Sequence, residues 1–260
     1  ETKEESGIKV EKVEILGVKI DNLTMEEALD KVEEFMIDEK RHYIVTPNPL
    51  FLVEARKDRE FKNILNSADM AIADGIGLIF ASWLLGRPIK EKITGVDLME
   101  KICRLAAQKN WPVFLVGGGN GVAEKAAKNL KNKYPGCRAQ LLGNSSFSFR
   151  QRFNEELLLN FPEELPLSSI LFVALGPVKQ EKWINENLDK MPWVKIAMGV
   201  GGAFDFLAGR IKRPPKVFQR LGLEWLWRLA LQPWRIKRIF KSVFMFPWLV
   251  IKDTILSKTK

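Results

Sequence analysis

The residues best suited to chemistry sit where short apolar runs stop. Asp74 follows the run Met70–Ala73 and precedes Gly75-Ile76-Gly77, so its carboxylate should stand at a strand end with little bulk around it. A carboxylate so placed can act as a general base toward a hydroxyl within hydrogen-bond reach. Asp is also a good helix N-cap, and taken alone that structural role is the better account of an Asp before a helix. Four further turns of similar character carry Thr46-Pro47-Asn48, the glycines from Gly117 to Gly121, Gly176-Pro177 with Lys179-Gln180, and Gly201-Gly202 with Asp205. Helix starts at such turns expose free N–H groups that suit anions. Other chemistries lack their residues: His42 is the only histidine, which removes zinc sites built on His pairs and a Ser-His-Asp triad with a second candidate base.

The elements that must position these residues are legible as an alternation. Residues 13–20 read as a strand, and a helix follows over Met25–Ile37 with Thr24 and Glu27 as a capping box. His42–Thr46 reads as a buried strand ended by Pro47, then helices over Leu50–Ala55 and Glu60–Ser67. Strand, glycine or aspartate turn, and helix then recur: 70–73 with 78–85, 113–116 with 122–133, 170–175 with a helix through Trp183, and 195–200 with 203–208, while a helix over 98–109 follows Gly95-Val96-Asp97. This pattern predicts an α/β protein with a Rossmann-like, mainly parallel sheet and helices on both faces. Ligands of such sheets bind at the carboxyl ends of the strands, the rim that Asp74 and the other turns would share. The turn at Gly117–Gly121 fits either a tight strand-to-helix connection or a nucleotide contact. It lacks the third glycine of a dinucleotide fingerprint, and no acidic ribose partner follows at the usual distance.

Charge is placed unevenly. Residues 210–260 hold 13 Lys/Arg and two Asp/Glu, a net +11 against +9 for the whole chain, so residues 1–209 carry −2. Such a basic end points to a polyanionic partner. Large apolar side chains interleave with the cations, and Trp225, Trp227, Trp234 and Trp248 fall within 24 residues. That mixture describes a helix lying in a lipid interface, with a core helix bearing solvated arginines as the plainer alternative. The apolar run Val243–Ile251 is too short to span a bilayer and is broken by Pro247. Residues 1–12 are charged and carry no apolar signal core. Two cysteines without CxxC spacing fit a reducing compartment. The expectation is a protein at the cytoplasmic face of a membrane, peripheral to it, divided into an N-terminal extension (1–12), a catalytic domain (13–209) and a membrane-associating helical appendage (210–260).

Taken in order, Thr46-Pro47-Asn48, Ala73-Asp74-Gly75, Gly95-Val96-Asp97-Leu98, Gly176 with Lys179-Gln180-Glu181-Lys182-Trp183, Gly199-Val200-Gly201-Gly202, and Arg213-Pro214-Pro215 leading to Gly222-Leu223-Glu224-Trp225 resemble the WecG/TagA/CpsF glycosyltransferases over about residues 12–240, the TagA branch most. The resemblance implies an inverting hexosyltransferase that moves N-acetylmannosamine from UDP-ManNAc to undecaprenyl-diphosphate-linked GlcNAc, for a wall teichoic acid linkage unit or a related surface polysaccharide. It implies no cofactor and no metal, and the sequence has no Asp-x-Asp pair for a divalent ion. It implies Asp74 as base, Thr46 and Gln180 beside it as catalytic residues, and Asn48, Lys92, Gly201 and Asp205 as substrate-binding residues. Arg228, Arg235 and Arg238 match the appendage arginines, whose planar forks suit a diphosphate leaving group. Lys92 departs from an arginine common in the family before Gly-x-Asp-Leu, keeping the charge and losing the fork. The expected partners are a UDP-sugar donor, a polyprenyl-diphosphate-linked sugar acceptor and an anionic membrane surface, with no nucleic acid.

Other readings stay open at this point. The sugar could be a different hexose or a hexuronic acid such as ManNAcA. The Gly117–Gly121 turn could serve a nicotinamide-dependent oxidoreductase, although the missing ribose acid counts against it. The tail could belong to a non-catalytic adaptor for membrane or nucleic acid, or it could pack against a second copy of the chain as a homo-oligomer.

Overall fold

The computed structural model describes residues 10–119, 121–142 and 168–258; residues 1–9 of the expected N-terminal extension lie outside the described residues. The chain opens with β1 (Lys12–Ile15) and β2 (Val18–Asp21), then α1 (Met25–Ile37), β3 (His42–Val45), α2 (Pro49–Ala55), α3 (Arg59–Ser67), β4 (Met70–Ala71) and α4 (Ile76–Leu84). It continues through α5 (Gly95–Lys109), β5 (Pro112–Gly117), α6 (Val122–Lys133), β6 (Arg138–Leu141), β7 (Ser169–Ala174), α7 (Lys179–Asn187), β8 (Val194–Gly199) and α8 (Ala203–Leu207). The tail is helical: α9 (Lys216–Arg220), α10 (Glu224–Leu231), α11 (Ile236–Phe240), a π-helical turn (Lys241–Met245) and α12 (Phe246–Lys258).

Six strands pair in the order β4-β3-β8-β7-β5-β6, every neighbour parallel. Strand period sorts the core into two layers. Val113, Leu115, Ile170, Phe172, Ile196 and Met198 face one layer with α1, α5, α6 and α8, while Phe114, Val116, Leu171, Val173 and Ala197 face the other with α2, α3, α7 and the start of α12. Helices therefore cover both faces, which is why the strands read as continuous apolar runs. From β3 the chain steps outward to β4, whereas β8 on its other side is reached only after the far half of the sheet is built. That reversal opens a crevice at the strand ends between β4, β3 and β8.

Two elements differ from the sequence reading. Residues 13–20 form a hairpin and not one strand: Leu16 and Gly17 both adopt positive φ, 52° and 78°, the signs a type I′ turn needs. The alternation deceives because pairing sets Val13 opposite Ile20 and Ile15 opposite Val18, so all four bury on one face. Pro247 does not break the tail helix either. It falls at the second residue of α12, directly after the π-helical turn. A wider turn loosens the i→i−4 ladder there, where a proline has no N–H to offer.

The tail is built into the body. Phe246, Leu249 and Val250 are buried in the same core layer as α2 and α4. Ion pairs Lys241–Glu54 (2.6 Å), Arg56–Asp253 (2.8 Å), Arg213–Asp97 (2.7 Å) and Lys92–Glu224 (3.0 Å) bind it from several sides. The hairpin is pinned by Asp21, whose buried carboxylate accepts from the Ala71 N–H at 2.7 Å and meets Lys12 at 3.1 Å. Asp21 so anchors the strand that delivers Asp74. Replacing Asp21 with Ala removes a charged, buried hydrogen bond and should cost about 2 kcal/mol, read as a lowered urea midpoint with unchanged slope; an unchanged midpoint would show that the hairpin is not anchored there.

Candidate active site

β4 is short, but its backbone runs on beside β3, with Ile72 N–H donating to Val45 O (2.9 Å) and Asp74 N–H to Pro47 O (2.8 Å). Asp74 is thereby fixed at the rim next to Thr46 and Asn48. Gly95, the first residue of α5, brings its N–H to the Asp74 carboxylate. A Cβ there would lie 3.1 Å from Thr46 Oγ1 and 3.6 Å from Asp74 Oδ2, so the glycine lets a helix N-terminus approach the carboxylate closely. Thr94 caps that helix, accepting from Asp97 N–H at 3.2 Å, and its hydroxyl donates to Asp97 Oδ2 at 2.5 Å. Arg213 of the tail holds the other Asp97 oxygen at 2.7 Å.

Thr46, Asn48, Asp74, Thr94 and Gly95 line a cleft of about 470 Å³ roofed by the tail. Burial, followed by the negative charge of Glu224, pushes the Asp74 carboxyl up to about 7 against the pull of Gly95 N–H, Arg228 and Lys92. Asp74 therefore combines a base's affinity for a proton with a position that opens onto the cleft. The alternative role, helix N-cap, is not the one Asp74 fills, because Gly75 occupies the N-cap position of α4 and no side chain caps it.

On the β7–β8 side, Gln180 is buried. Its Oε1 accepts from Gly201 N–H (3.0 Å) and its Nε2 donates to Glu181 Oε1 (2.6 Å). Glu181 is buried too, and desolvation pushes its carboxyl up to about 8. Asn48 caps α2 by accepting from Phe51 N–H (3.2 Å), which leaves its NH2 group for the cleft.

The tail supplies the cations. Arg228 reaches Gly202 O (3.4 Å) and lies over the Phe206 ring, 4.6 Å from its centre. Its Nε is buried with no hydrogen-bond partner among the described residues. Desolvation lowers the proton affinity of Arg228, and desolvation with repulsion from Arg228 and Arg238 pulls Arg235 down to about 10. Three guanidinium groups are held closer than they would choose, and an anion is what they lack.

The structure gathers Thr46, Asn48, Asp74, Lys92, Gln180, Gly201, Arg228, Arg235 and Arg238 around one cleft. Lys92 is spent on the tail, donating to Gln219 O (2.9 Å) and Glu224 Oε1 (3.0 Å), and so ties α9 and α10 to the body. Asp205 stands behind the arginines, near Arg228 and Arg235, and does not line the cleft. Gly117, Gly118, Gly119 and Gly121 do not line it, and Gly117 has a packing reason: a Cβ would sit 2.5 Å from Ala174 O. His42 is at the start of β3, the opposite end of the sheet, stacked on Phe35 and bonded to Asp38 (2.8 Å). Glu181 and Glu224 carry weight that the sequence reading did not give them. The signal for Glu181 was an acidic side chain on the inward stripe of α7, beside Trp183 and Ile184.

Comparison with known proteins places the chain by its sequence. The model of the glycosyl transferase WecG/TagA/CpsF family matches residues 13–260. The chain is 32% identical over 247 residues to an N-acetylglucosaminyldiphosphoundecaprenol N-acetyl-beta-D-mannosaminyltransferase of Staphylococcus aureus strain MRSA252, covering 93% of this chain and 92% of the relative. A protein of the same name from strain MW2 is 31% identical over 250 residues, with the same coverage.

Two outcomes test the site. Gly95→Ala keeps an ordinary helical backbone and crowds Thr46 and Asp74, so turnover should fall by about tenfold or more, since small misplacements of reacting groups are costly; wild-type turnover would mean that the close approach is unimportant. Asp74→Asn should be more stable than the native chain above pH 7. The raised carboxyl favours the fold while protonated, and that contribution is lost as pH rises through about 7. Melting curves at pH 5.5 and 8.5 should show the variant's advantage growing with pH.

Proposed function

The chain belongs to the WecG/TagA/CpsF glycosyltransferase family, and from that premise we propose that it transfers N-acetylmannosamine from UDP-ManNAc to undecaprenyl-diphosphate-linked GlcNAc with inversion at the anomeric carbon. The observation that carries this reading is a proton-affine carboxylate, Asp74, sharing one cleft with three mutually repelling arginines. In the step, ionised Asp74 takes the proton of the acceptor hydroxyl as its oxygen bonds to the anomeric carbon. The bond from that carbon to the UDP oxygen breaks, and the departing diphosphate takes up the negative charge. Arg228, Arg235 and Arg238 stabilise that charge with forks fixed in advance. Thr46 and Asn48 orient the reacting sugars, and Gln180 fixes the Gly201 turn that would face the nucleotide.

Charge compensation is assigned to the arginines because Arg228, Arg235 and Arg238 line the cleft together; among the described residues no group of three His, Cys, Asp or Glu is placed to hold a metal ion. No described helix is long and apolar enough to cross a membrane. The tail instead exposes Trp234, Phe240, Phe244, Trp248 and Ile251 among lysines and arginines, a surface suited to peripheral binding at anionic lipid. Because Phe246, Leu249 and Val250 belong to the core, point substitutions probe this surface more cleanly than removal of the tail.

Transfer of labelled ManNAc from UDP-ManNAc to a short-chain lipid analogue tests the assignment. kcat/KM should rise with an acid limb near pH 7, as the base must be ionised, and should persist in excess chelator. Asp74→Ala should lower turnover by about 10²–10⁴-fold. Full activity in that variant, or no transfer by the native chain, would overturn the reading. Arg228→Glu should slow turnover on the same soluble analogue without lipid present, separating its role at the diphosphate from any role in membrane binding.

A further inference from the structure

The two ends of the cleft differ in chemistry. The face that α11, the π-helical turn and α12 turn toward it reads Arg235, Arg238, Ile239, Ser242, Val243, Pro247, passing from cationic to apolar along the chain. The cationic end lies with Arg228, which reaches Gly202 beyond β8. The apolar end lies with α4: a Cβ on Gly77 would sit 3.6 Å from the Phe246 ring. Asp74 stands two residues before α4 begins.

α4 has no charged residue. Leu78, Ile79, Ala81 and Ser82 are buried against the body. Its other face carries Ile76, Phe80, Trp83 and Leu84 at i, i+4, i+7 and i+8, one continuous stripe. Ile76 and Phe80 line the cleft, while Phe80, Trp83 and Leu84 are 60%, 60% and 53% exposed. The Phe80 and Trp83 rings meet edge to face at 6.0 Å, so the stripe is a joined surface. A helix apolar on all sides is not one that faces water, and a contiguous apolar surface leading out of a site marks a ligand or a partner.

We infer that the Ile76–Phe80–Trp83–Leu84 stripe of α4, facing Val243 and Pro247, is the track along which the acceptor's long isoprenoid chain leaves the cleft. This rests on the transferase reading with a lipid-linked acceptor. The two ends of the cleft match the two ends of the reacting pair: a nucleotide diphosphate fits the arginine end and a hydrocarbon fits the apolar end, with the acceptor hydroxyl, its sugar and the acceptor's own diphosphate lying between them. The catalytic body thus contributes its own lipid contact, separate from the basic tail.

The test compares two acceptors carrying the same sugar diphosphate, one on a long isoprenoid chain and one on a short alkyl chain, both in detergent. Trp83→Ser with Leu84→Ser, at exposed positions that leave the core intact, should lower the ratio of kcat/KM on the long acceptor to that on the short one by about tenfold, or about 1.4 kcal/mol. An unchanged ratio with normal turnover overturns the track and leaves the transferase reading standing. No turnover by the native chain on either acceptor overturns both. If the ratio holds while the variant loses self-association in sedimentation, the stripe belongs to an interface with a second copy and the track is overturned. Binding of polyprenyl monophosphate to the full chain, without donor or sugar, gives a readout independent of catalysis: weaker binding by the variant supports the track, and equal binding overturns it.

Discussion

The structure turns on keeping one carboxylate poorly solvated without losing access to it. Asp74 could be an ordinary acid at a strand end, fully ionised and too weak a base to help a hydroxyl. What raises it is the tail lying across the rim, which strips water from it and brings the negative Glu224 close. The opposing pull from Gly95 N–H, Arg228 and Lys92 stops the rise near neutrality. The balance matters more than either side: without the roof the base would be feeble, and without the cations it would hold its proton at working pH.

The same roof creates a second imbalance of opposite sign. Arg228 and Arg235 are desolvated together, and repulsion between them and from Arg238 makes both more costly to keep charged. Asp205 and Asp74 offset only part of this, and the buried Nε of Arg228 finds no partner among the described residues. These arginines therefore carry unfavourable electrostatics that a bound anion, such as the diphosphate of the proposed donor, would relieve. In the proposed reaction, binding and transition-state stabilisation would draw on one arrangement, because the charge leaving the sugar would arrive at the arginines.

Much of this was written where the sequence changes character. Asp74 could be found because an apolar run stops at it and two glycines follow, and the parallel sheet because that pattern recurs. The tail's role could be guessed from arginines set among tryptophans. Its attachment could not: Lys92–Glu224, Arg213–Asp97 and Lys241–Glu54 join residues more than a hundred positions apart, and no periodicity announces such pairs. Lys92 shows the consequence, since a cation expected at a phosphate is held by a glutamate. The hairpin at Leu16-Gly17 was hidden because a two-residue turn preserved the alternation on either side of it. β6 escaped notice because Arg138 and Gln140 leave it only two apolar positions at an edge of the sheet. Buried acids such as Glu181 are hidden for a different reason: composition makes Glu a surface residue, and only the three-dimensional partner Gln180 explains its place.

Floor and roof are also held by forces of different kinds. The floor is fixed by the sheet, through the backbone bonds that carry Asp74 beside Pro47 and through the Gly201–Gln180–Glu181 string, whose members are shielded from water. Such bonds are costly to break once buried. The roof is held at one end by Phe246, Leu249 and Val250 in the core, and along its length by ion pairs that remain partly exposed. Each exposed pair contributes only about 0.2–1 kcal/mol and weakens with salt. The tail is thus firmly rooted where it meets α4 and lightly held where it carries its arginines. In the proposed reaction an anion between the arginines would stabilise the lightly held end, so substrate would itself help to complete the enclosure around Asp74.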